Sequence, residues 1–205
     1  MRISAGSVAV PIALAPILAA LRRTAPELRV EIDVDNTLRD IVAEGCDAGV
    51  RLGDMIAQEM VTVRLTPRFR TAIVAAPDYL ARAGTPRTLA ELAVHTCITY
   101  RLGSDGGLYR WELSADGGEI DMASGETVVI DDPLAARDLA VSGVGLAYVF
   151  RPLVAAALAR GELVEVLPET AVEEPGFFLY FPRRAAMAPA LRTVIDTARK
   201  LTRQG

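Results

Sequence analysis

Short strand-like runs and amphipathic helical runs take turns along almost the whole of this 205-residue chain, and that alternation restricts its fold more than any other feature. Arg2–Ala5 reads as a strand. Residues 10–23 then carry Leu14, Ile17, Leu18 and Leu21 at the spacing of one helix face. Pro11 suits a first turn, while Pro16 must either kink this helix or mark its true start. Val30, Ile32 and Val34 alternate with Glu31 and Asp33 in a second strand. Thr37 is placed to cap a short helix carrying Leu38, Ile41 and Val42 and closed by Gly45. Ala48–Leu52 makes a third strand.

After an irregular stretch the pattern resumes. Residues 69–76 form a strong strand, Pro77 and Asp78 open a helix to Ala83, and 88–94 is a short helical piece. Strands follow at 97–100 and 127–130. Asp131, Asp132 and Pro133 give a cap and a proline for a helix over 134–142 that stops at Gly143. Residues 144–149 read as a strand, 152–160 as a helix ending at Gly161, 163–167 and 177–181 as strands. A last amphipathic helix starts at Pro189, with Leu191, Val194, Ile195, Ala198 and Leu201 on one face. Glycines cluster over 103–125, where residues 109–113 and 119–122 suit a β-hairpin turning at 116–118. Strands alternating with helices build βαβ units and largely parallel sheets. Two such blocks can be separated, one from Arg2 to about residue 72 and one from there to about 177, with the closing strand and helix detached from the second.

The chemistry that the chain lacks narrows its function. It is 51% hydrophobic and 23% charged, enough for a packed core and unlike a disordered segment. A net charge of -4 gives it no basic face with which to hold phosphates by itself. Cys46 and Cys97 belong to no CxxC or Cys/His cluster, so no structural metal is expected. They read as two buried reduced thiols, with a single disulfide as the alternative. No apolar run approaches the ~20 residues that cross a bilayer. The opening MRISAGSVAV is strand-like and not a secretory signal, so a cytoplasmic protein is expected. Core-like sequence directly after Met1 suits a segment cut from a longer chain. His95 is the single histidine, and no nucleophile and base are arranged around it. GxGxxG, GxxxxGK[ST] and HExxH are all missing. No catalytic residue, metal or cofactor is expected.

Five segments carry a family resemblance in the right order. They are RISAGSVAVPIALAPILAAL at the start, IVAEGCDAGVRLGD at 41–54, AAPDYLARAGTPRTLAELAVHTCITY at 75–100, DDPLAARDLAVSGVGLAYV at 131–149, and the closing LYFPRRAAMAPALRTVIDTARK. Together they resemble the C-terminal effector-binding domain of LysR-type transcriptional regulators. The resemblance implies an α/β fold of the type 2 periplasmic-binding-protein kind: two Rossmann-like lobes joined by two crossover strands, near 71–76 and 177–181. Lobe I would be 1–72 plus 178–205 and lobe II 73–177, with the effector in the cleft between them. It implies a small-molecule effector, an organic acid or amino-acid-like compound, and a homodimer or tetramer. In such a pair the helix at 10–23 and the strand at 30–34 would meet a neighbour's lobe II near 127–142. DNA would be reached only through a winged helix-turn-helix that this sequence does not contain. A periplasmic-type solute-binding protein would share the fold. A small-acid lyase or dehydratase would also share it, but would need clustered acid–base residues that the chain does not show.

Ligands in open α/β sheets collect at the carboxyl ends of strands, where helix N-termini leave free N–H groups. That rule selects candidate ligand-binding residues. Ser7 offers a hydroxyl after the first strand, with helix capping as its alternative role. Val8 stands where many relatives carry a hydroxyl. Thr37 lies at a second helix start, where capping alone would explain it. Arg51 ends the third strand at a position often occupied in relatives by a cleft arginine, and a guanidinium can pair bidentately with a carboxylate. Its alternative is a structural ion pair with Asp47, Asp54 or Glu59. In the second block the candidates are Tyr100, Asp131, Asp132 and Phe150, with Trp111 as a further apolar wall. Core packing would also explain the aromatics, and capping at least one aspartate. An aspartate facing Arg51 would suit a ligand with both a positive and a negative end.

Overall fold

The computed structural model describes residues 1–37, 40–101, 107–114, 119–120, 127–183, 185 and 188–202. Leu38 and the expected hairpin turn at 116–118 lie outside them. The chain divides into two compact units, Met1–Arg68 with Pro175–Gly205, and Phe69–Glu174.

Unit 1 is built on five strands: β1 (Arg2–Ala5), β2 (Glu31–Val34), β3 (Ala48–Leu52), β4 (Val61–Arg64) and, from the far end of the chain, β13 (Phe177–Phe181). Their order is β2-β1-β3-β13-β4. β1 runs parallel to both neighbours, with Ile3 opposite Ile32 and Ala48, as helical crossovers require. β13 is antiparallel to β3 and to β4, so the sheet is mixed where alternation alone suggested parallel pairing. The β-branched run Val61-Thr62-Val63 suits a strand but is too short to stand out in sequence, and Phe178–Phe181 pairs with it.

The first helix resolves the two prolines. Residues 10–14 open into a wide π turn, in which the Ala15 N–H reaches back five residues to the Val10 carbonyl. Regular α1 (Ala15–Thr24) then begins with Pro16 in its first turn, where a missing N–H is harmless. Ile17, Ala20 and Leu21 are its buried residues. It lies against α5 (Pro189–Thr202), which buries Leu191, Val194, Ile195 and Ala198 at helical spacing.

The helix expected after Thr37 is absent from the described residues 40–45, which form a turn. Asp40 Oδ1 accepts the Val42 and Ala43 N–H groups at 2.8 and 3.3 Å, and Gly45 closes the turn at a φ of 70°. So short a run cannot repay helix nucleation, and Ile41 is instead pinned in a small core with Cys46 and Tyr180.

Unit 2 has a six-stranded sheet made from β5 (Phe69–Ala75), β6 (Cys97–Tyr100), β9 (Thr127–Ile130), β10 (Leu146–Phe150), β11 (Val164–Val166) and β12 (Glu173–Glu174). The main order is β11-β5-β10-β6-β9, with β12 paired to β5. β6 is parallel to β9 and β10, while β5 is antiparallel to β10 and β11. The expected hairpin appears as β7 (Trp111–Glu112) against β8 (Glu119–Ile120).

The sheet is buried on both faces, so its central strands are apolar without alternation. On one face Ile73, Leu146 and Tyr148 pack with Tyr79 and Leu80 of α2 (Pro77–Ala83) and with Trp111. On the other, Ala72, Val74, Ala147 and Val149 meet Ala136 and Ala140 of α3 (Pro133–Val141) and Val154 and Ala157 of α4 (Arg151–Ala159). Among the described residues no helix is long and apolar enough to cross a membrane, and no group of acidic, histidine and cysteine side chains could hold a metal. Cys46 and Cys97 are both buried free thiols.

Candidate functional site

In unit 1 the parallel strands β2, β1 and β3 lie side by side, so their carboxyl ends form one edge. Three segments leave that edge: Gly6–Val8 after β1, Asp35–Thr37 after β2, and the end of β3 that carries Arg51. The Asp35 N–H donates to the Ala5 carbonyl at 2.9 Å, which continues the β1–β2 ladder into the loop. Asn36 Oδ1 accepts the Ser7 N–H at 2.8 Å. Asp35 Oδ1 accepts both the Thr37 N–H at 2.8 Å and the Thr37 hydroxyl at 2.7 Å, an Asx turn in place of a helix cap. Ser7 is buried and Val8 half-buried. The helix that follows has Ala9 as its N-cap and no side-chain capping bond.

Arg51 occupies the middle of this edge and is only 5% exposed. Its guanidinium donates to the carbonyls of Val50 at 2.9 Å, Asp35 at 3.0 Å and Thr37 at 3.1 Å, and to the Ser4 hydroxyl at 3.3 Å. The anticipated partners Asp47, Asp54 and Glu59 do not meet it: among the described residues no carboxylate forms an ion pair with it. Asp47 accepts the Arg2 N–H instead. Burial pulls the Arg51 pKa below its ordinary value, with Tyr180 and Asp35 opposing that pull. Arg51 therefore fixes the loop after β2, and it is a buried positive charge whose hydrogen bonds end on neutral oxygens, with the Asp35 carboxylate offsetting part of its desolvation. Such a charge is costly unless an anion meets it.

The second group of candidates collects in the same way in unit 2. Tyr100, Ile130 and Phe150 end the parallel strands β6, β9 and β10, which are neighbours in the sheet. Asp132 caps α3, its Oδ1 accepting the Leu134 N–H at 3.0 Å, with Pro133 next in sequence. Asp131 is exposed beside it. Tyr100 turns inward: it is buried, its hydroxyl donates to the Tyr148 carbonyl, and burial pushes its pKa upward. Phe150 is half-buried, edge-on to Phe69 at 5.2 Å. Trp111 is fully buried and stacked on Tyr148 at 5.6 Å, a core residue and not a wall. Sequence reading missed Asp35 and Asn36. An Asp-Asn-Thr run just past a strand was the available signal, since Asp and Asn shape loops by bonding nearby backbone.

Among the described residues the single histidine and the two free cysteines form no catalytic constellation with these side chains. His95 is buried 16 positions from its partner Tyr79, whose hydroxyl lies 3.0 Å from His95 Nδ1. Burial pushes the Cys97 thiol up to about 12, far from a nucleophile's range.

Two α/β units, each built on a mixed sheet, make a fold of the type 2 periplasmic-binding-protein kind. The chain matches the LysR substrate binding domain family over residues 1–203 and belongs to it. It is the effector-binding regulatory domain of a LysR-type transcriptional regulator. The chain is 33% identical over 196 residues to the uncharacterized HTH-type transcriptional regulator YcaN of Escherichia coli, covering 96% of this chain and 64% of that protein. It is 32% identical over 183 residues to the HTH-type transcriptional regulator PgrR of the same organism, covering 89% and 61%. The chain thus spans less than two thirds of these relatives. Among solved structures, the regulatory domain of CrgA from Neisseria meningitidis superposes with a TM-score of 0.83 at 22% identity, covering 98% of both chains.

Proposed function

We propose that this domain senses a small organic acid or amino-acid-like effector, and that Arg51 receives its carboxylate. The carrying observation is the buried guanidinium whose hydrogen bonds all end on neutral oxygens. A carboxylate beside it would bring the negative charge that none of these acceptors carries, in a charge-assisted pair. Ser7, Val8 and Thr37 sit on the same edge of unit 1 and would line the ligand. Tyr100, Asp131, Asp132 and Phe150 are the corresponding residues of unit 2, with lobe I taken as 1–72 plus 178–205 and lobe II as 73–177. Of the two aspartates, Asp132 is committed to its cap, so Asp131 is the one left to meet a ligand ammonium.

The longer regulator would bind DNA through a helix-turn-helix outside this chain, work in the cytoplasm, and assemble as a homodimer or tetramer. Effector binding changes such an assembly only by favouring one arrangement over another. Sedimentation is expected to show association of this domain, and a strict monomer at high concentration would contradict that part of the reading.

A thermal-shift series tests the ligand class. Monocarboxylates, dicarboxylates and amino acids are compared with their neutral amides. A ligand present at 100 times its Kd raises the Tm by about 5–10 °C in a chain of this size. Carboxylates are expected to shift the Tm and amides to leave it unchanged. Equal shifts from acid and amide would remove Arg51 as the anion receptor. Tight binding of a simple dicarboxylate would remove Asp131 from the site.

A further inference from the structure

The loops at the strand ends of unit 1 are joined by hydrogen bonds whose directions are fixed by chemistry. The Thr37 hydroxyl lies 2.7 Å from Asp35 Oδ1, which also accepts the Thr37 N–H at 2.8 Å. A carboxylate only accepts, so the Thr37 proton points at Asp35. Toward any further group the Thr37 oxygen can then act only as an acceptor, and donating to a carboxylate makes it a stronger one. Asn36 is oriented in the opposite sense. The Ser7 backbone N–H can only donate, and it takes the carbonyl end of the side chain, Oδ1, at 2.8 Å. The other end, Nδ2, presents two N–H donors.

These groups are neighbours of Arg51. Its guanidinium donates to the carbonyls of Asp35 and Thr37 at 3.0 and 3.1 Å, on either side of Asn36 in sequence. Asn36 is exposed and Thr37 half-buried. The edge therefore carries donors at Arg51 and Asn36 and an acceptor with no proton to give at Thr37.

We propose that this order of donors and acceptor selects the effector: an acid with a hydrogen-bond donor beside its carboxylate, as in a 2-hydroxy or 2-amino acid, and not the 2-oxo or unsubstituted counterpart. The proposal rests on the reading that Arg51 receives the carboxylate. The Arg51 guanidinium and Asn36 Nδ2 give protons to the carboxylate oxygens, and the proton of the neighbouring substituent goes to the Thr37 oxygen. A 2-oxo group would set its own lone pairs against those of Thr37. An unsubstituted carbon would take water from the Thr37 oxygen and supply no proton in its place. A site built around a ligand hydroxyl rejects the analogue that lacks it, because the polar groups of the site lose their partner. Asn36 and Thr37 are thus specificity residues, and neither alters the ligand chemically.

Calorimetric titration of the 205-residue domain with lactate, pyruvate and propionate tests this, with lactamide as the uncharged control. Lactate is expected to bind about tenfold more tightly than pyruvate or propionate. Thr37→Val keeps the shape and removes the oxygen. It should bring the three acids to one affinity without weakening propionate, while Thr37→Ser should keep the preference. Asn36→Asp still accepts the Ser7 N–H but replaces the Nδ2 donors with an acceptor, and should weaken all three acids by about tenfold or more. Pyruvate or propionate equal to lactate, a lactate preference that survives in Thr37→Val, or undiminished affinity in Asn36→Asp would overturn the proposal and leave Arg51 as the anion receptor. Lactamide equal to lactate would instead remove that receptor, and silence toward all three acids would overturn both. If Thr37→Val does not fold, the wild-type ranking and Asn36→Asp decide.

Discussion

A methyl carbon added at Gly145 would lie 2.3 Å from the Thr96 carbonyl oxygen, a backbone atom that cannot step aside. Gly161 has open space around it and only a left-handed φ of 71° to satisfy. Gly145→Ala should therefore cost more than Gly161→Ala: about 1–3 kcal/mol from overpacking, against about 1 kcal/mol from backbone strain alone. Chemical denaturation of both variants checks the ranking. In sequence the run Gly143-Val144-Gly145 signalled only a tight turn. The close approach comes from Thr96, 49 positions away and just ahead of β6, and no local pattern encodes that distance. Arg51 shows the same limit. Its place at a strand end was legible, but its partners were not. The nearby acids Asp47, Asp54 and Glu59 were the natural expectation, whereas the fold delivers carbonyls from Asp35 and Thr37. Arg51→Gln should unfold more readily by about 1–3 kcal/mol, since those acceptors lose their donors. Arg51→Lys should not restore it, because an ammonium cannot fan its protons as a planar fork does.

Elements were legible where their ends carry chemistry. Proline in the first turn marks α2, α3 and α4, and each begins where that proline predicts. Asp132 is the cap of α3, so Asp132→Ala should cost about 1 kcal/mol, read as a lower unfolding midpoint. Asp131→Ala, on an exposed residue, should leave stability unchanged and serve as its control. Elements failed to be legible where tertiary pairing decides. The turn at 40–45 has a capping residue and a closing glycine but too little length to be a helix. β4 has no helix or turn signal of its own and exists as the outer partner of β13. At Pro16 two readings were open, a kink or a helix start, and the π turn ahead of it combines them. A wide turn accommodates a proline without breaking the helix, a solution that residue periodicity does not announce.

The fold class was readable in the whole chain because strand–helix alternation repeats too often for chance and because five family-like segments fall in order. The mixed character of both sheets was not, since it depends on β13 and β5 running against their neighbours. Site prediction followed the same division. The rule that ligands meet parallel strand ends selected two clusters that the fold does bring to sheet edges, one in each unit. It could not distinguish Tyr100, which turns into the core, from residues that stay at the surface. In the proposed function a carboxylate effector is held, unchanged, at the ends of β1, β2 and β3 by Arg51. An NMR titration with the best carboxylate from the thermal series tests this most directly. Saturable shifts are predicted at the amides of Ser7, Asn36 and Thr37 and at the Arg51 side chain, with the ligand recovered intact. Silence at Arg51 while another region responds, or conversion of the ligand, would contradict it.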